Sequence, residues 1–230
     1  MCLAPEVDLV AGVVISAVGI DTLRHLDRRR EVVIGSLPLL FGLHQLVETV
    51  VWWSVDGTID ATSGRAAMWI YLFFALPVLP VLVPLALLLV EAQATRRRWL
   101  VGLLALGAVV AAVLAWQLLD GTVNASAGTA HIKYVFGLQW PIVVIGGYVI
   151  ATCGPLLVSS WPTLRWWGAA NLVVVGLIGV AAAEGFLSLW CFWAAITSVA
   201  INLTLRRHRH DRATDVPLVP AIDGTLRSTA

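Results

Sequence analysis

The sequence predicts an all-α integral membrane bundle of seven transmembrane helices, N-terminus outside and C-terminus cytoplasmic. Three observations carry that expectation. Of the 230 residues 59% are hydrophobic and only 13% charged, whereas a soluble domain needs about 25% charged residues for its surface. Apolar runs close to the roughly 20 residues needed to cross a bilayer recur seven times along the chain. All but two of the 15 Lys and Arg residues lie in alternate connections or the tail, the exceptions being Arg65 and Lys133. Basic residues mark the cytoplasmic side, so the chain is expected to be multi-pass in the cell's inner (plasma) membrane, in contact with membrane lipids. A net charge of +1 gives no field that would attract nucleic acid.

The first span runs from Val7 to Leu23 and is short unless counted from Leu3. Ahead of it there is no basic segment or small-residue cleavage site, so it does not read as a cleavable leader. The connection Arg24–Glu31 precedes the second span, Val32–Trp53, and a polar loop with Gly57 and Gly64 follows. The third span, Ala66–Val90, holds Pro77, Pro80 and Pro84; membrane helices accommodate such residues as kinks. After the basic stretch Glu91–Arg98 come the fourth span, Trp99–Leu119, and the longest polar connection, Asp120–Phe136. The fifth and sixth spans are Leu138–Val158 and Trp166–Ala183, and a tight turn at Glu184–Phe186 leads to the seventh, Leu187–Leu205. Residues 1–207 are thus expected to form one membrane domain, with residues 208–230 a disordered cytoplasmic tail containing Pro217, Pro220 and Gly224. Trp52, Trp53, Trp116, Trp140 and Trp190 fall near one membrane boundary, and Trp99, Trp161, Trp166 and Trp167 near the other, as interfacial belts do.

The second span carries the chemistry. His44 and Glu48 are four residues apart and share one helix face. Ionisable groups at membrane depth are costly and mark function or a polar partner. The expected topology places them in the outer half of the bundle, at the level of Cys2, Glu6, Asp8, His131, Glu184 and Cys191. His44 and Glu48 therefore read as a metal half-site, with Cys2, Cys191 and the weaker candidate His131 able to complete it. Zinc or another divalent transition metal suits such nitrogen, oxygen and sulfur donors. In a catalytic version, metal-activated water would act with Glu48 as ligand or base beside His44, on a lipid or small amphiphile reached from the bilayer. The structural alternative is a hydrogen-bonded pair that locks helix packing. A third reading is a proton-coupled small-solute transporter or membrane sensor that uses His44 and Glu48 without metal. Whether the chain is an enzyme stays open at this level.

Cys2 has alternatives of its own: a ligand or nucleophile, a disulfide to Cys191, or an inert thiol. Asp8 reads as a carboxylate favoured by the start of a helix, and Glu184 as a solvated acid. Several classes fall away on chemistry. A retinal Schiff base needs a lysine within a span, and Lys133, the chain's single lysine, is in a connection. Neither a phosphate-binding glycine loop nor a GxSxG elbow is present.

Four stretches resemble an uncharacterised family of bacterial, mainly actinobacterial, multi-span membrane proteins. They are the opening Met1-Cys2, the run Leu39-Leu-Phe-Gly-Leu-His44-Gln45-Leu-Val-Glu48, Ala151-Thr-Cys-Gly154, and Ser188-Leu-Trp-Cys191. The resemblance covers about Met1 to Arg207. The chain departs from it at Leu3-Ala4-Pro5, where the family has Phe-Ser-Ala. The resemblance implies an integral membrane protein and no established activity.

Overall fold

The computed structural model describes residues 5–128, 131–181 and 183–214. It contains seven long helices among them: α1 Pro5–Arg24, α2 Val32–Val55, α3 Ala61–Val90, α4 Ala94–Asp120, α5 Pro141–Val158, α6 Pro162–Ala181 and α7 Phe186–Thr214. A two-stranded antiparallel hairpin, β1 Asn124–Ala127 and β2 Ile132–Val135, lies between α4 and α5. Each expected span is a helix. Six of the seven, α2 to α7, are long and apolar enough to cross a membrane. α1 has the length but carries Glu6, Asp8, Asp21 and Arg24 along its 20 residues.

The elements follow from local chemistry. α3 starts at Asp60, whose side chain accepts hydrogen bonds from the backbone N–H groups of Thr62 and Ser63. Its middle widens into a π turn at Phe74–Val78, because Pro77 has no N–H to close the ordinary helical bond. Tyr148 on α5 donates to the Ala75 carbonyl there at 2.5 Å. α1 and α2 cross closely: Gly12 and Gly19 on α1 face Leu46 and Leu39, and Gly42 on α2 faces Ser16. A methyl group at Gly19 or Gly42 would meet the opposite backbone, and small residues let membrane helices approach in this way.

α7 packs against α2 and α1, α5 against α4 and α3, and α6 bridges α5 and α7. The bundle has an arginine-rich end and a hairpin end. At the former, Leu37, Leu87, Leu100, Leu164 and Leu205 form an apolar core. At the latter, Tyr71, Leu72, Leu118, Ile132 and Cys191 form another.

Two expectations change in detail. α7 continues to Thr214, past the Arg207 boundary expected for the start of a tail. Arginine is a good helix former and basic groups favour a helix C-terminus; Arg206 also bonds to Asp21 and Arg209 to the His25 carbonyl. Residues 215–230 lie outside the described residues. The tryptophan belts are partial. Trp99, Trp116, Trp140 and Trp166 are exposed, but Trp52 and Trp190 are buried, because their indoles face a polar cluster and a cavity inside the bundle.

Candidate functional site

The site is built on one face of α2. His44, Gln45, Glu48 and Trp52 recur at helical spacing and all are buried, Glu48 and Gln45 completely. The close crossing with α1 brings Asp8 to the same place. Asp8 is 2% exposed, and Trp52 donates its indole N–H to the Asp8 carboxylate at 3.0 Å. α3 contributes Tyr71, also fully buried, whose ring stacks on His44 at 4.0 Å between centroids and 11° between planes. Tyr134 of β2 stacks on Tyr71 at 4.9 Å. The result is a column of three rings, His44–Tyr71–Tyr134, standing beside the Glu48 carboxylate.

The hydroxyls of Ser188 on α7, Tyr71 and Tyr134 face that carboxylate, and the charge of Asp8 acts on it. None of these hydroxyls closes a hydrogen bond of ordinary geometry to it: both Glu48 oxygens are buried without a partner, as are the Tyr71 and Tyr134 hydroxyls, His44 Nε2 and both polar atoms of Gln45. The buried Cys191 thiol lies against Tyr71 and Glu48. The basic side chains on this side are Arg65, which is exposed, and Lys133, which pairs with Glu184 at 3.0 Å. Neither forms an ion pair with Glu48.

Of the residues that the sequence singles out, the fold therefore gathers Glu48, Cys191 and Asp8, and joins His44 to them through its stack on Tyr71. His131 is placed elsewhere. Its ring packs over Gly185, where any side chain would collide with it, next to Glu184. The hydrogen bond from Lys133, its charge, and a smaller contribution from His131 hold the Glu184 carboxyl below the usual carboxylate range. Cys2 lies outside the described residues. Among the described residues no group of three His, Cys, Asp or Glu side chains is arranged to hold a metal ion.

Sequence reasoning missed Tyr71 and Tyr134, had Ser188 only within the Ser188–Cys191 resemblance, and placed Asp8 at the level of the pair but as a helix-start carboxylate. One signal was available. The chain has three tyrosines, and all of them lie here: Tyr71 and Tyr134 at Glu48, and Tyr148 edge-on to Trp190 at 5.5 Å. A buried tyrosine brings a hydroxyl that needs a partner.

An elongated cavity of about 390 Å³ adjoins the cluster. Tyr134 and Cys191 sit in its wall at the hairpin end, and Leu37 and Ile201 close to its other end. It exists because α5 and α7 are held apart, with α6 across the gap.

A model of a family described as "Family of unknown function (DUF6629)" matches residues 1–216, and the chain belongs to that family. No curated protein and no solved structure matches it.

Proposed function

We propose that this member of the DUF6629 family is a seven-span membrane protein that takes up a cation at the Asp8–Glu48 carboxylate pair, with its hairpin end outside and its C-terminus cytoplasmic. The orientation is supported by the basic residues gathered at the opposite end, Arg24, Arg28 to Arg30, Arg96 to Arg98, Arg165, Arg206, Arg207 and Arg209, against Arg65 and Lys133 at the hairpin end. The cation site is carried by one observation: a completely buried Glu48, neither of whose oxygens closes a hydrogen bond, beside a buried Asp8, with no ion pair to a basic side chain among the described residues. Two carboxylates removed from water without a compensating charge are strongly unfavourable. A proton or a metal ion supplies that charge, and the hydroxyls of Tyr71, Tyr134 and Ser188 supply the surrounding oxygen atoms.

The two cations lead to different activities. A divalent ion such as zinc would draw its donors from Glu48, Asp8 and Cys191, with His44 and Cys2 as the other candidates. Glu48 would then be ligand or base for water attacking a lipid or small amphiphile. A proton makes the pair a coupling or sensing group, with Glu48 exchanging protons toward the hairpin end. The absence of a three-residue metal group among the described residues leaves the proton version needing the fewer additions.

Elemental analysis of the purified protein beside Glu48→Gln, together with infrared spectra of its carboxyl groups, tests the site. Near-stoichiometric metal lost in E48Q gives the metal version. No metal, but a protonated-carboxyl band lost in E48Q, gives the proton version. Wild type and E48Q alike in both measurements would overturn the cation site.

A further inference from the structure

The cavity beside the carboxylates has a shape and an opening that a water-soluble solute does not require. Its α7 wall runs from Phe186 to Ile201, roughly 22 Å of helix at 1.5 Å per residue. That is most of the hydrocarbon thickness, about 30 Å, that a bilayer presents. Phe41, Leu79, Val83 and Leu156 make its middle apolar. The polar side chains along its length, Thr152, Asn171, Thr197 and Ser198, are already bonded to their own helices or to Trp193. At the hairpin end, by contrast, Tyr134, its hydroxyl unpartnered, and Cys191 connect the cavity to the Glu48 cluster. A long apolar slot with a polar terminus matches a molecule built the same way.

The slot also has a side door. α6 buries only Leu164, Gly168 and Asn171, all in its arginine-end half. There Gly168 packs closely on Leu156 and Leu157 of α5, and Asn171 accepts the Trp193 indole N–H at 2.9 Å. Toward the hairpin end α6 loses its neighbours. A side chain at Gly176 or Gly179 would meet nothing within 4 Å, and Val180 is 92% exposed. Yet Gly179 still borders the cavity. The half of α6 nearest the carboxylates therefore leaves a gap facing lipid.

We infer that the cavity is a lateral-access site for one single-chain amphiphile whose head donates hydrogen bonds, an alcohol or amine, drawn from the leaflet at the hairpin end. The tail lies along α7 between α5 and α2. The head stops under Tyr134, which is in the cavity wall and whose unpartnered hydroxyl faces the Glu48 carboxylate behind it. The tail seat stands on the cavity alone, and only the position of the head rests on the cation-site reading. Burial of each methylene contributes about 0.8 kcal/mol relative to water, but lipid is equally apolar, so head-group contacts decide selection.

The test is photolabelling of the reconstituted full-length protein with a long-chain alcohol carrying a diazirine in its tail, in phosphatidylcholine vesicles, followed by peptide mapping. Labels concentrated on α7 and α5 at cavity positions such as Cys153 and Ala194 are expected. Labels distributed over lipid-facing residues of α4 such as Val101 and Val109 would overturn the site. Ala194→Phe, which fills the slot, should lower cavity labelling at least fivefold, and Gly102→Phe on the open face of α4 should leave it unchanged. Equal labelling of A194F and wild type would overturn the tail seat; the wild-type map decides by itself where A194F fails to fold. Glu48→Gln separates the two readings. Labelling at the same cavity positions but several-fold weaker in E48Q places the head at Glu48, while labelling as strong as in wild type overturns the head position and leaves the tail seat standing.

Discussion

Glu91 and Glu48, at opposite ends of the bundle, are buried in opposite ways. At the arginine-rich end Glu91 is 5% exposed and fully engaged. One oxygen accepts the Gln93 N–H at 2.9 Å and the other the Ser160 N–H at 2.8 Å, tying the α3–α4 connection to the α5–α6 connection. Arg96 adds bonds to the Val158 and Ser159 carbonyls at 2.6 and 2.9 Å. Asp21 is likewise bonded by Asn202 and Arg206. At the hairpin end Glu48 is buried more deeply and accepts no such bond, and Asp8 has one, from Trp52. A satisfied buried acid fixes structure. An unsatisfied one, kept where apolar residues would pack more cheaply, is a group held ready for something that binds.

Substitutions can break or sharpen that contrast. The largest effect is expected from Glu91→Ala, which removes two hydrogen bonds to a charged group and should lower stability by about 3 kcal/mol, read from thermal unfolding in detergent. The same residue sets an acid limb. Burial alone would raise its carboxyl, but the bonds from Gln93 and Ser160 outweigh it and hold it below the ordinary value of 4.5. Its contribution is therefore present above that value and lost as the pH falls through the lowered one. An unfolding midpoint that drops in that window for wild type, and not for Glu91→Gln, checks the sign.

Trp52→Phe comes next. It strips the buried Asp8 of its hydrogen bond and should cost about 2 kcal/mol. Glu48→Gln should do the reverse of the Glu91 change and leave stability equal or raised by about 1 kcal/mol, while abolishing cation uptake. A large loss of stability in E48Q would erase the contrast and make Glu48 a packing residue. The smallest effect is expected at Lys133→Met. The exposed pair with Glu184 should matter little to unfolding and not at all in high salt, comparable in size to ordinary surface substitutions.

Much of the fold was legible because membrane helices are specified locally. Seven apolar runs, the basic connections and the prolines of α3 are properties of adjacent residues, and each run became a helix. The β-hairpin was not legible. Asn124–Ala127 is polar and small, with none of the alternating apolar pattern that marks a strand, and its pairing with Ile132–Val135 is stabilised by docking: Ile132 and Tyr134 bury themselves against the bundle. The site divides the same way. The four-residue spacing placed His44 and Glu48 on one face, but spacing cannot say which neighbour each side chain meets, and His44 meets Tyr71.

The sequence by itself determined the helices, the polarity of the two ends and a buried carboxylate in α2, because lipid requires each span to satisfy its own backbone hydrogen bonds. Only the tertiary structure decided what surrounds that carboxylate. Asp8, Tyr71, Tyr134, Ser188 and Cys191 come from four further elements, and their meeting depends on a glycine-lined crossing of α1 and α2, a docked hairpin and the gap between α5 and α7. Contacts of that kind are set by how whole elements pack, and no local pattern of residues encodes them.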